Sequence, residues 1–305
     1  MTENHFNPGK SARSYAFLSI GAAIATIVLK FAAYHLTGSV GLLSDALESI
    51  VNLVAAMAAL GALTLASKPP DPSHTFGYSK AEYFSSALEG LLILVAAVSI
   101  IITAVPRFTQ PQAIEQVGWG LVISVISAAI NGSVALILLR AGKRLRSITL
   151  KADGHHLLTD VWTSVGVLLG LILVHLTGWL ILDPIIAIAV AINIIWAGFH
   201  LLQETGSGLL DAALPTEDVE AITRILQKYQ TDGIQFHALR TRVAGARRFV
   251  TFHVLVPGDW TVQLGHDLCE QIEIAIGQVL PGAHTITHLE PFEDPDSWSD
   301  QELDR

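Results

Sequence analysis

Cysteine, charge and basic residues are all scarce in this chain. A single cysteine, Cys269, in 305 residues excludes an intramolecular disulfide framework and a Cys-rich zinc knuckle. Charged residues make up 15%, where ordinary soluble domains carry about 25%. With 51% hydrophobic residues, this composition belongs to a membrane protein bearing a soluble part. Basic residues number 18 against 27 acidic ones, and the net charge of −9 excludes nucleic acid as a partner. Two strings are also missing. Without Gly-x-x-x-x-Gly-Lys-Ser/Thr the chain lacks the phosphate cradle of an ATP-driven machine. Without His-Glu-x-x-His it lacks the helix of a zinc protease, so an enzyme is not expected.

What the chain has instead is apolar length. Six segments, near Ser14–Leu36, Val40–Ala66, Ala81–Val105, Val117–Leu139, Ala152–Leu176 and Leu180–Leu202, reach the roughly 20 residues a bilayer crossing takes. The first is too long for a signal peptide and lacks a small-residue cleavage site, so it reads as a retained span. The first pair and the last pair are joined by short turns carrying one tetrapeptide, His35-Leu36-Thr37-Gly38 and His175-Leu176-Thr177-Gly178. Asp183-Pro184 predicts an N-cap and a first-position proline for the sixth helix. Lys10, Arg13, Lys68, Lys80, Arg140, Lys143, Arg144, Arg146 and Lys151 border one set of loops, while Arg107 is the one basic residue of the other set. The positive-inside rule then predicts a multi-pass inner-membrane protein with both termini in the cytoplasm.

From Gly206 onward the composition turns mixed and finally acidic. Thr216–Tyr229 predicts an amphipathic helix after Pro215, Ile234–Thr241 and Arg247–Val256 strands, Val262–Leu280 a helix, and His284–Glu290 a last strand. That α-β-β-α-β order implies a small open sheet with helices on one face. The expected organisation is an N-terminal segment at 1–13, a six-helix membrane domain at 14–205, an α+β domain at 206–291, and an acidic tail at 292–305 without structure.

Polar residues stand out inside the spans. Glu48 and Asn52 interrupt the second, and His156 and Asp160 open the fifth; each pair is spaced i, i+4 and so shares one helix face. Such groups are costly in hydrocarbon unless they face a protein interior and bind something. Four ligand groups are what a tetrahedral divalent ion needs, and imidazole favours zinc or a neighbouring transition metal over calcium or magnesium. Two carboxylates would balance the ion's charge in a low-dielectric setting. Asp45 and Asp153, three residues upstream of each pair, read as supports behind the ligands or as interfacial groups. Glu89 and Asn131, single polar groups in other spans, read as packing or gating residues. A lone polar residue in a span often only bonds a neighbouring helix, but four at matched spacing are a dear way to do that. Imidazole and carboxylates also bind protons in competition with metal, so metal loading releases protons, and an imidazole with an ordinary pKa near 6.5 can exchange both at physiological pH. A membrane-anchored metal sensor without transport is the alternative, and it has no need of ligands at mid-bilayer.

Three motifs resemble those of the cation diffusion facilitator family. Ser39-Val-Gly-Leu-Leu-Ser-Asp45-Ala-Leu-Glu48-Ser-Ile-Val-Asn52 resembles its second-helix signature, His74-Thr-Phe-Gly-Tyr78-Ser-Lys80-Ala-Glu82 its second-loop signature, and His156-Leu-Leu-Thr-Asp160 its fifth-helix ligand pair. The resemblance implies a homodimeric exporter of a divalent metal against protons, with six spanning helices and a cytoplasmic metallochaperone-like (ferredoxin-like) domain. Zinc exporters of the family carry Asp or His, then Asp, where this chain has Glu48 and Asn52; Glu keeps the first charge and Asn removes the second. His156 argues against a manganese-type exporter. Zn²⁺ or Fe²⁺ is the expected substrate, with Co²⁺, Ni²⁺ and Cd²⁺ open. Asp71 and His74 match a peripheral zinc site of some members, with Tyr78 where those carry His, so that site is expected to be weak or absent. His237-Ala-Leu-Arg240-Thr-Arg242 resembles the first strand of the cytoplasmic domain, and His253, His266, His288 and Glu290 fall where members hold metal at the dimer interface. Lys80 and Asp211 match a charge interlock between the two parts.

Overall fold

A computed structural model of the chain describes residues 8–37, 40–109 and 119–299, in two compact units that divide after Gly206. The first unit consists of α1 (Pro8–Thr37), α2 (Val40–Ala66), α3 (Ala81–Ala104), α4 (Trp119–Leu145), α5 (Ile148–Thr177) and most of α6 (Leu182–Leu209), with a 3-10 turn at Val105–Phe108 after α3. All six helices are long and apolar enough to cross a membrane. Helix α1 packs on α2 and α4, and α5 packs on α4, α3 and α2.

Helix α3 shows why this bundle needs lipid as its solvent. Phe84, Leu88, Leu91, Val95, Val98 and Ile102 recur at helical spacing and are all exposed. Glu82, Ser85, Ser86, Glu89, Gly90, Ile93 and Ala97 form the opposite, buried face. An outward apolar stripe over an inward polar one is the reverse of a soluble helix. Small residues bring α3 and α6 close: a Cβ on Gly90 would lie 2.7 Å from Leu202 Cδ2, and one on Gly198 would lie 2.9 Å from Ile93 Cγ2.

Helix ends depart from the hydropathy limits in three places. Helix α4 continues to Leu145, through Arg140, Lys143 and Arg144, and α5 begins at Ile148 and contains Lys151, so the expected basic loop shrinks to Arg146 and Ser147. Hydropathy marks where lipid ends, but backbone hydrogen bonding continues, and cations are favourable in the last turn of a helix. Ser147 caps α5, accepting from the Leu150 N–H at 3.4 Å. Helix α6 begins at Leu182, which places Asp183 in its first turn. The Asp183 carboxylate accepts from Arg107 Nη1 at 2.7 Å, so the expected cap is an ion pair instead.

The buried Glu82 fastens α3 to the start of α5. Its Oε2 accepts from the Ser147 hydroxyl and from the Thr149 N–H at 3.4 Å, while Thr149 Oγ1 donates to the Glu82 carbonyl at 3.2 Å.

The second unit runs from Ser207. Its elements are α7 (Thr216–Tyr229), β1 (Gln235–Ala244), β2 (Arg247–Val256), α8 (Val262–Val279) and β3 (Ala283–Pro291), in the expected order. The sheet order is β1-β2-β3, antiparallel between β1 and β2 and parallel between β2 and β3, with α8 as the crossover. Val250, Phe252, Val254 and Val256 alternate along β2 and share one buried cluster with Ile222, Ile225 and Leu226 of α7 and Ile272 and Ile276 of α8. Both helices therefore cover the same face. The tail expected to lack structure does not do so as far as Ser299: Pro295–Trp298 form a 3-10 turn, Ser297 is buried, and Trp298 Nε1 donates to the Phe292 carbonyl at 3.0 Å.

Replacing Glu82 by Ala leaves the Ser147 hydroxyl and Thr149 N–H without their acceptor. The expected loss is about 2 kcal/mol, smaller for Glu82→Gln, which keeps one acceptor oxygen. Thermal unfolding of the purified full chain in detergent measures it, and an unchanged midpoint in Glu82→Ala would refute the fastening role.

Candidate metal centres

The middle of the bundle gathers polar side chains from five helices. His156 and Asp160 lie one turn apart on α5. His156 Nε2 is 2.8 Å from Asn52 Oδ1 on α2, and Asn52 Nδ2 donates to Asp160 Oδ2 at 2.5 Å. A third helix joins at the same oxygen: Asn131 Nδ2 on α4 donates to Asp160 Oδ2 at 3.1 Å. On the other side of the imidazole, His156 Nδ1 stands 3.6 Å from Glu89 Oε2 on α3. One turn before His156, Asp153 Oδ1 accepts from Ser19 Oγ on α1 at 3.0 Å. Asn52, Glu89, Asn131, Asp153 and His156 are all buried.

Several atoms of this cluster lack hydrogen-bond partners among the described residues: both Glu89 oxygens, His156 Nδ1, Asn131 Oδ1 and Asp153 Oδ2. Buried polar atoms without partners are few in folded proteins, and each calls for a reason. An imidazole together with amide and carboxylate oxygens is the kind of donor set that a borderline divalent ion accepts.

Of the residues expected at this site, Asn52, His156 and Asp160 come together, and Asp153 sits beside them, tied to α1. The side chains of Glu48 and Asp45 lie outside the described residues. Asn131 and Glu89, read from sequence as packing or gating groups, reach Asp160 and His156. The signal available for both was their polarity in otherwise apolar helices; what sequence cannot supply is which helices are neighbours.

The second cluster lies on the C-terminal sheet, and strand register builds it. His237 on β1 is opposite His253 on β2, and His253 is opposite His288 on β3, so three imidazoles form a row across the sheet. A bulge follows at once, between His237 and Arg240, with Ala238 at φ 50. Glu290, two residues after His288 and so on the same face, brings its carboxylate to the row. His237 Nε2 and His253 Nδ1 each lie 3.1 Å from Glu290 Oε2 and 3.2 Å from one another. His288 Nδ1 is 3.3 Å from Glu290 Oε1 but is largely exposed. His237, His253 and Glu290 offer three ligand atoms within 4.8 Å of one another. Trp298 packs edge-on to His237, ring centroids 5.7 Å apart. His266 is exposed on α8 and is not in that group.

The loop before α3 holds neither cluster. Asp71 Oδ1 accepts from the Ser73 and His74 N–H groups at 2.9 Å, and its Oδ2 from the Tyr78 hydroxyl at 2.5 Å. His74 stacks near Tyr78 with centroids 4.2 Å apart, its Nδ1 3.6 Å from Asp71. Tyr78 thus ties the loop where a third ligand would stand. Its hydrogen bond holds the Asp71 carboxyl below the usual carboxylate range and raises the phenol. Lys80 sits at the N-cap position of α3, and Asp211, at φ 57, pairs with Arg242 Nη1 at 3.2 Å in the C-terminal domain.

Comparison with known proteins accounts for nearly the whole chain. A model of the cation efflux transmembrane domain matches residues 16–210, and one of the cation efflux protein cytoplasmic domain matches 214–292. An uncharacterized transporter of Synechocystis is 56% identical over 287 residues, covering 94% of this chain and 93% of that one. The cation-efflux pump FieF of Klebsiella pneumoniae is 28% identical over 286 residues, covering 93% and 94%. A solved structure of the zinc form of CzrB, a candidate zinc transporter, is 40% identical over 27% of this chain and 93% of that one, with a TM-score of 0.26.

Proposed function

This chain belongs to the cation diffusion facilitator family of metal efflux transporters, and from that premise we propose that it exports a divalent transition metal from the cytoplasm in exchange for protons, with Zn²⁺ or Fe²⁺ as the leading substrates. The single observation that carries this reading is the meeting of Asn52, His156 and Asp160 inside the bundle. In the proposal Glu48 completes the set, and Asp45 and Asp153 support it. A buried imidazole and carboxylate bind either a metal or protons, so loading one expels the other, and no ATP site is required. The FieF relative is named a cation-efflux pump, a name that specifies no metal, and Co²⁺, Ni²⁺ and Cd²⁺ stay within the donor set's range. A sensor without transport would leave the cluster in the bundle without a task.

In the same reading His237, His253, His288 and Glu290 hold a cytoplasmic metal, with His266 available from a second copy or on rearrangement. The matched C-terminal domain supports a homodimer. The loop pair Asp71 and His74 holds metal weakly at most. Lys80 and Asp211 form the charge interlock between membrane and cytoplasmic parts. The basic borders of the α2–α3 and α4–α5 connections support an inner-membrane orientation with both termini inside.

Reconstituted full-length protein is expected to move zinc or iron(II) into proteoliposomes with counter-flow of protons. Asp160→Ala is expected to lower that flux at least a hundredfold, and competition among zinc, iron(II), cobalt, nickel, manganese and cadmium ranks the substrates. Undiminished flux in Asp160→Ala would refute the site. Orientation and assembly are read on the same preparation. Cysteines introduced at Lys68 and Thr177 should label from opposite sides, and the purified protein should have twice the 32.7 kDa chain mass. Labelling of both from one side, or a 32.7 kDa particle, would contradict the topology or the dimer.

A further inference from the structure

Glu89 is a fully buried ionisable group on the inward face of α3. Among the described residues, no hydrogen-bond donor meets either of its carboxylate oxygens. A buried carboxyl group left unpaired is costly, far more so than a packing residue needs to be. Its neighbours on the inward face of α3 are small or apolar: Ser86, Gly90 and Ile93. Facing it is another atom in the same condition. His156 Nδ1, also buried and also without a hydrogen bond, lies 3.6 Å from Glu89 Oε2. That gap is too short for an intervening water and closes to a hydrogen bond with a small rotation of either side chain.

The two ring nitrogens of His156 look in opposite directions. Nε2 faces Asn52, and through Asn52 the Asp160 carboxylate; Nδ1 faces Glu89. A neutral imidazole that binds an ion through Nε2 must carry its proton on Nδ1, and that N–H needs an acceptor that also fixes the ring plane. Glu89 stands where that acceptor must be.

Resting on the transport reading above, we propose that Glu89 is a positioning residue of the transport site, accepting the His156 Nδ1–H when a divalent ion sits on Nε2 and so setting that ring's tautomer and orientation. Glu89 acts through His156 and does not touch the ion.

Zinc uptake by full-length protein in proteoliposomes, measured across zinc concentration, tests this with three variants. Glu89→Ala is expected to raise the half-saturating zinc concentration roughly ten- to a hundredfold, the usual effect of removing a partner behind a metal-bound histidine, with a much smaller change in maximal rate. Glu89→Gln keeps an oxygen that can accept the Nδ1–H, so its shift is expected to be clearly smaller. Ile93→Ala, a buried packing change one turn along the same helix, is expected to leave half-saturation unchanged. A spectroscopic readout accompanies them: the ¹⁵N spectrum of zinc-loaded protein should place a proton on His156 Nδ1 in the parent and lose that ordered N–H signal in Glu89→Ala. Normal half-saturation in Glu89→Ala, a fall in maximal rate alone, or equal shifts in Glu89→Gln and Glu89→Ala would each overturn the positioning role while leaving transport intact. If Glu89→Ala does not fold, the Glu89→Gln shift and spectrum decide. A parent protein that moves none of the six metals would overturn the transport reading itself, and this inference with it.

Discussion

Asp160 draws amide donors from two other helices onto one carboxylate oxygen, Asn52 from α2 and Asn131 from α4. The arrangement of the bundle's centre follows from that demand. In a medium without water, polar groups must find partners within the protein, and the helices that carry them are fixed relative to one another. His156 continues the chain of contacts to α3 and Asp153 continues it to α1. The partners are incomplete, though. Among the described residues, His156 Nδ1, Asn131 Oδ1, Asp153 Oδ2 and both Glu89 oxygens keep hydrogen-bonding capacity that nothing uses.

The C-terminal domain reaches a similar donor set by a different route. There the backbone ladder does the positioning, because register alone sets His237, His253 and His288 side by side. Covering one face of the sheet with α7 and α8 leaves the other face for chemistry, and the β1 bulge lies next to the row it helps to aim. Trp298, at the close of the 3-10 turn, packs against His237, so the described tail reaches the edge of this site.

Much of this was legible before any coordinates. Hydropathy located all six helices, and period-two and period-3.6 patterns located α7, α8 and the three strands of the second domain, because burial dictates both, but neither pattern marked the Pro295–Trp298 turn. Helix limits were less legible: Arg140, Lys143, Arg144 and Lys151 look like loop residues yet are helical, since long basic side chains reach out of the apolar layer while their backbone stays in the helix. Asp183 carries a cap signature and is used by Arg107. For the site, i, i+4 spacing exposed the pairs within one helix. Contacts between helices left no such trace, and Glu89 and Asn131 acquired a role only when α3 and α4 were placed beside α5. Tyr78 is a mixed case: the sequence marked it as a missing ligand in the loop motif, while the tie of its hydroxyl to Asp71 came only with the structure.

Anomalous X-ray scattering from crystals of the full-length protein grown with zinc tests the central claim most directly. The account predicts a peak in the bundle within bonding distance of His156 Nε2 and Asp160, about 2.0–2.2 Å from each ligand atom. Zinc found only beside His237, His253 and Glu290, with none near His156 and Asp160, would contradict it.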